Sequence, residues 1–314
     1  MNAGGAMTAV SPPRLDPGQG LRERLVTLPD GRMLRAVTGG SGDPLVVFEA
    51  GLGAAAGSWL PVQRLVSAHV RTASYDRAGY GGSDPDPDAR SLARMSDDLA
   101  AMLDACDETK PVVLVGHSLG GPILRAFAAR QPHRVAGLCL VDATVAEAMN
   151  PRVARATVAV VYGLLDVLAK VGLSGGLAKL VVPTLPGEIS PEDQQVMLRE
   201  ATAARSRKAL RQEARQLTRM QAELRTLQDA GLPDAPTVCL IGQRAERGGK
   251  KQRQVINDAT TREMQVRANG EAIVVPEAGH MIPQEQPAAT AQAILALVGR
   301  NTAQQEGAGH GKRT

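Results

Sequence analysis

Aromatic side chains are nearly missing from this chain: they make up 2% of 314 residues, with one tryptophan, Trp59, and two phenylalanines, Phe48 and Phe127. A core must therefore rest on Val, Leu, Ile and Ala, and the stacking platforms that bind single-stranded nucleic acid are excluded. Lysine and arginine number 36 against 32 acidic residues. They interleave instead of gathering in a basic block, so nucleic acid is not an expected partner. Cysteine is scarce as well. Cys106, Cys139 and Cys239 are odd in number and far apart, and two sit in apolar runs, which fits small buried hydrophobes in a reducing compartment and excludes a disulfide frame or zinc site. No run of about 18 apolar residues occurs, and the first residues lack the basic start and apolar stretch of a signal peptide. The expectation is a soluble, cytoplasmic protein with no membrane partner.

What is present is alternation. Short apolar, β-branched runs at Leu45–Glu49, Val70–Tyr75, Val112–Gly116, Gly137–Val141, Thr237–Ile241 and Ala272–Val275 read as buried strands. Arg22–Leu28 and Met33–Thr38 read as a leading hairpin around Asp30-Gly31. With helical patterns between them, these eight strands predict an α/β fold: a mostly parallel sheet flanked by helices. From Thr144 to Gly231 the strand signal stops and helical periodicity takes over, with a helix start at Ser190-Pro191-Glu192-Asp193. This predicts a core over 21–143 and 232–300, a helical lid over 144–231, and mobile ends over 1–20 and 301–314. The charged run from Arg199 to Arg225 alternates in sign at helical spacing and reads as the solvated face of that lid.

The run Val112-Val113-Leu114-Val115 breaks into Gly116-His117-Ser118-Leu119-Gly120-Gly121, followed by a helix-forming stretch to Arg130. A strand that turns sharply into a helix holds a serine hydroxyl clear of the sheet, and glycines on either side tolerate the crowding; this is a nucleophile elbow centred on Ser118.

Together with Glu49-Ala50-Gly51-Leu52-Gly53, the loop Tyr75 to Asp84 and Pro276-Glu277-Ala278-Gly279-His280, all in order, the chain resembles the α/β-hydrolase superfamily over roughly 21–300. The resemblance implies its fold and a serine-nucleophile, esterase-like branch, because the dehalogenases and epoxide hydrolases of the superfamily carry aspartate at the elbow. It implies that Asp76 and Arg77 brace loops beneath the site. It also implies His280 as the base, since His310 lies in the tail, His133 follows a helix, His69 precedes a strand and His117 adjoins the nucleophile.

The acid departs from the commoner pattern. The loop after Thr237–Ile241 reads Gly242-Gln243-Arg244-Ala245-Glu246-Arg247, with Ala245 where most relatives carry aspartate. Asp142, at the end of the preceding strand, is preferred; Glu246 is the alternative, and a more distant group such as Asp258 stays open. The oxyanion donors implied are the amides of Leu119, at a helix start, and Leu52, between Gly51 and Gly53. The usual histidine of that loop is Ala50 here.

The resulting expectation is acyl transfer on a small-molecule ester by Ser118, His280 and an acid, with neither metal nor organic cofactor. Apolar lid residues at 158–161, Leu164-Leu165 and 180–182 are expected to wall a pocket for small to medium apolar esters. A carbon–carbon bond hydrolase and a non-catalytic small-ligand binder on the same scaffold remain alternatives, and homo-oligomerisation is left open.

Overall fold

Apolar residues on both sides of short strands decide the architecture. The computed structural model describes residues 20–170, 189–245 and 249–310. Within them one sheet runs in the order β1-β2-β4-β3-β5-β6-β7-β8. Its strands are β1 (Arg22–Thr27), β2 (Met33–Gly39), β3 (Val46–Glu49), β4 (Thr72–Tyr75), β5 (Val112–His117), β6 (Val135–Val141), β7 (Thr237–Gly242) and β8 (Gly270–Val275). β2 is antiparallel to β1 and β4, and the other pairings are parallel.

Successive residues of the central strands face opposite layers. Val46, Phe48, Val113 and Val115 pack with Trp59, Val62 and Val66 around α1 (Leu60–Ser67) and with Ile294 and Leu297 of α9 (Pro287–His310). Val47, Val112 and Leu114 point the other way, onto Leu99 and Leu103 of α2 (Leu92–Ala105) and Leu124 and Phe127 of α3 (Gly120–Arg130). Cys139 and Cys239 are buried and unpaired in this sheet, and Cys106 is unpaired and half-buried.

Between β6 and β7 the described residues form the helices α4 (Pro151–Lys170), α5 (Pro191–Thr202) and α6 (Ala204–Ala230). The helix start read at Ser190 is observed, the Ser190 hydroxyl accepting the Asp193 amide with Pro191 in the first turn. Leu210, Leu217, Met220 and Leu224 of α6 and Val158 of α4 form a third apolar cluster with Tyr80, Leu92, Leu119 and Ile123, seating these helices over the sheet's carboxyl edge. Among the described residues, α7 (Lys250–Gln265) lies between β7 and β8, and the short α8 (Ile282–Glu285) precedes α9.

Three readings need correction. Glu200 and Glu213, inside the run read as a solvated face, are buried against the core, while Arg215, Arg219 and Arg225 do face solvent. Val160 and Leu164, expected to wall a pocket, are 70% and 48% exposed. Helix α9 continues to His310, past the Arg300 limit read for the core, because nothing in Asn301–Glu306 breaks a helix. The expectations for residues 1–19, for 180–182 and for Glu246 lie outside the described residues.

Candidate active site

Register brings the site together. Glu49 pairs with Gly116 and His117 with Val141, so β3, β5 and β6 end side by side and release the Gly51 loop, Ser118 and Asp142 at one edge. Ser118 has φ +53°, a left-handed conformation that a non-glycine residue adopts only at a cost. The turn is possible because its glycines have no side chain: a Cβ on Gly120 would lie 2.4 Å from the Glu49 carbonyl oxygen, and one on Gly116 2.8 Å from the Gly120 backbone. Asp142, at the end of β6, has φ +41°.

Ser118 Oγ lies 3.0 Å from His280 Nε2, and His280 Nδ1 lies 2.6 Å from Asp142 Oδ2. An ionised carboxylate only accepts, so Nδ1 carries the proton and Nε2 presents its lone pair to the serine hydroxyl. The other carboxylate oxygen, Oδ1, accepts the Gly242 amide at 3.2 Å and a short hydrogen bond from Arg253 Nη1 of α7. Burial pushes the Asp142 carboxyl up, but the hydrogen bonds and charges of His280 and Arg253 outweigh it and hold the group below the usual carboxylate range. It is therefore ionised at neutral pH.

His117 supports the base from below. Its Nε2 donates to the His280 carbonyl at 2.8 Å, and the two rings lie 4.8 Å apart. Burial, followed by the neighbouring His280, pushes His117 down to about 3, so it stays neutral while holding that backbone. Opposite, the Gly51 loop runs close over the nucleophile, with Ser118 Cβ 3.2 Å from where a Gly51 Cβ would stand. Arg77 holds this loop by donating to the carbonyls of Ala50 at 2.6 Å and Gly51 at 2.8 Å. Asp76 accepts the amides of Ala56 at 2.9 Å and Gly82 at 2.8 Å.

A cavity of about 380 Å³ opens at this edge, lined by Ser118, His280 and Asp142 together with Leu52 and Leu119. Met149, Val153 and Leu217 supply apolar wall from the helical segment. The size suits a small or medium ligand.

Of the residues singled out in the sequence, Ser118, His280 and Asp142 meet in one hydrogen-bonded chain, and Leu52 and Leu119 flank it. Ala245 bears no carboxylate, and Asp258 is exposed on α7. His69 and His133 are exposed away from the site. Arg253 and the bracing role of His117 had no local signal: Arg253 sits in a charged, helix-like stretch where nothing marks one arginine from the next.

The Alpha/beta hydrolase family's sequence profile matches residues 46–293. The chain belongs to the alpha/beta hydrolase family. As a member of it, the chain is 36% identical over 103 residues to a protein of Azorhizobium caulinodans named "Putative carbamate hydrolase RutD", a match covering 33% of this chain and 38% of that one. It is 32% identical over 103 residues to the uncharacterized protein YqjL of Bacillus subtilis, covering 33% and 41%. The match thus spans about two fifths of the length of these curated relatives. Among solved structures, this alpha/beta hydrolase superposes on a thermophilic esterase from Thermogutta terrifontis with a TM-score of 0.67 at 24% identity, covering 89% of this chain and 99% of that one. The Cif epoxide hydrolase from Acinetobacter nosocomialis superposes with a TM-score of 0.72 at 19% identity, covering 90% of each. These likenesses are of fold.

Proposed function

We propose that this hydrolase works by acyl transfer through Ser118, His280 and Asp142, most favourably on carboxylic esters of small to medium apolar groups. The observation that carries the reading is the unbroken chain from Ser118 Oγ through His280 to the ionised Asp142, opening into a cavity with apolar walls. His280 Nε2 takes the Ser118 proton as Oγ attacks the carbonyl; Asp142 stabilises the imidazolium so formed. The tetrahedral intermediate places its negative oxygen near the amides of Leu52 and Leu119, and each such donor is worth about 3–4 kcal/mol in the transition state. Collapse expels the alcohol, protonated by His280, and a water deprotonated by the same ring releases the acid. Neither metal nor organic cofactor enters this cycle. Helices α4, α5 and α6 serve as the lid, and the unpaired state of all three cysteines fits a reducing, cytoplasmic setting.

Carbamates present a carbonyl of the same chemistry, and the likeness to the RutD protein favours them as a second substrate class. The test is hydrolysis of p-nitrophenyl acetate, butyrate and octanoate and of a p-nitrophenyl carbamate by wild type, Ser118→Ala and Asp142→Asn. Wild-type turnover should fall by at least about 10³-fold in Ser118→Ala and about 10²–10⁴-fold in Asp142→Asn. Equal rates in wild type and Ser118→Ala would overturn the reading and direct attention to carbon–carbon substrates or to ligand binding.

A further inference from the structure

We propose that Arg253 is a positioning residue that orients Asp142 and, through it, limits the basicity of His280; the inference rests on the triad reading above. Ala245, just after β7, bears no carboxylate, and α7, the next helix, sends a cation toward the β6 aspartate. Arg253 is 8% exposed and lies on the cavity wall. Among the described residues Asp142 is its ionic partner, and its Nε has no hydrogen-bond acceptor. A buried guanidinium with so little compensation is costly to keep, and the one charge it neutralises is the triad acid's.

Two consequences follow from the geometry. First, the carboxylate is gripped at both oxygens: Oδ1 by Arg253 Nη1 and the Gly242 amide, Oδ2 by His280 Nδ1. Rotation about its χ2 would break at least one charge-assisted bond, so the acceptor for His280 is held in place. Second, Asp142 and Arg253 form a nearly neutral pair, and the imidazole faces a dipole in place of a full buried negative charge. A lone carboxylate would favour the imidazolium more strongly and leave less neutral base at mildly acid pH. Arg253 thus extends the pH range over which His280 can accept the Ser118 proton.

The other ionisable groups around His280 do not duplicate this. His117 from β5 is neutral, its protonation pushed down to about 3 by burial. Around the histidine's own loop, Arg244 donates to the Glu277 carbonyl at 2.8 Å and to Glu285 at 2.8 Å, and Glu285 accepts the Gly279 amide at 2.6 Å. These groups are spent on one another and on backbone.

The experiment follows the His280 ring protons by NMR from pH 4 to 9, the signal being identified by its loss in His280→Gln, alongside the pH profile of kcat/KM on p-nitrophenyl butyrate. Arg253→Gln keeps an N–H donor without the charge, and Arg253→Met fills similar space with neither, so two neutral variants guard against one failing to fold. In either, the ring titration and the acid limb of kcat/KM should both move to higher pH by about 0.5–1 unit. Arg253→Lys should return both toward wild type. A folded neutral variant whose ring titrates as in wild type overturns the proposal. The NMR arm needs no turnover: loss of the hydrolase reading would appear as equal rates in wild type and Ser118→Ala, a result independent of where the ring titrates.

Discussion

Arg77 and Glu213 form a buried ion pair between the loop after β4 and helix α6, with Nε 3.0 Å from Oε1. The same guanidinium grips the Ala50 and Gly51 carbonyls, so the helical segment over the cavity and the loop over Ser118 share one anchor. Arg90 Nη2 at 2.8 Å and the Tyr80 hydroxyl at 2.7 Å also donate to Glu213, which satisfies the carboxylate on all sides.

Removing that carboxylate strips Arg90 of its acidic partner and leaves Arg77 with Glu49 alone. Glu213→Gln should destabilise the protein by about 3–5 kcal/mol at pH 7, the cost typical of a broken buried pair. Burial raises the Glu213 carboxyl, but the charges of Arg77 and Arg90 and the hydrogen bonds from Arg77 and Tyr80 overcome it and bring the group down to about 2, below the ordinary 4.5. Because the folded value is depressed, this stabilisation is complete above pH 4.5 and is lost as pH falls toward 2. Urea midpoints across that window should drop less steeply for Glu213→Gln than for wild type; parallel curves would contradict the assignment.

Glu200 of α5 predicts the opposite slope. It joins Arg35 and accepts the Gly57 amide at 3.1 Å, while burial, reinforced by the Asp76 charge, pushes its carboxyl from 4.5 up to about 7. The folded state then holds the proton more tightly than the unfolded chain. Its contribution is full below pH 4.5 and is lost as pH rises to about 7. Glu200→Gln cannot ionise, so its stability relative to wild type should improve between pH 5 and pH 8, as read by thermal melts at each pH.

At the elbow, Gly120→Ala drives a methyl against the Glu49 carbonyl oxygen, 2.4 Å from the new Cβ. Neither backbone can yield without shifting β3 or α3. A loss of about 2–4 kcal/mol is expected, seen as a melting temperature lower by several degrees, with hydrolysis reduced further because Ser118 moves.

Leu217 lines the cavity from α6. Leu217→Gln should raise KM for p-nitrophenyl octanoate by about tenfold, with a much smaller change for acetate, since about 1–2 kcal/mol of apolar contact is lost only by the longer chain. A uniform change across chain lengths would place the acyl group elsewhere.

Much of this was legible in the primary structure because it is local. The β-branched run before Gly116, the glycines around Ser118 and the Ser190-Pro191 helix start each act within a few residues, and their strands, elbow and helix stand where the pattern put them, within one or two residues at most ends. The three residues Ser118, Asp142 and His280 are nameable for the same reason: Ser118 and Asp142 directly follow a β run, and His280 lies in the loop just after one. What local pattern does not contain is who meets whom. The sequence leaves Asp142, Glu246 and Asp258 open, and only the parallel register of β6, β7 and β8 brings Asp142 to His280. It read Glu200 and Glu213 as solvated because a helix with alternating charges looks the same whether one glutamate faces water or a buried arginine 136 residues away. Arg253 is the extreme case. Composition shows that the stretch Lys250–Gln265 is highly charged; the packing of that stretch, as helix α7, on the sheet edge selects which of its cations faces the triad acid, because electrostatic partnership depends on distance in space and not along the chain.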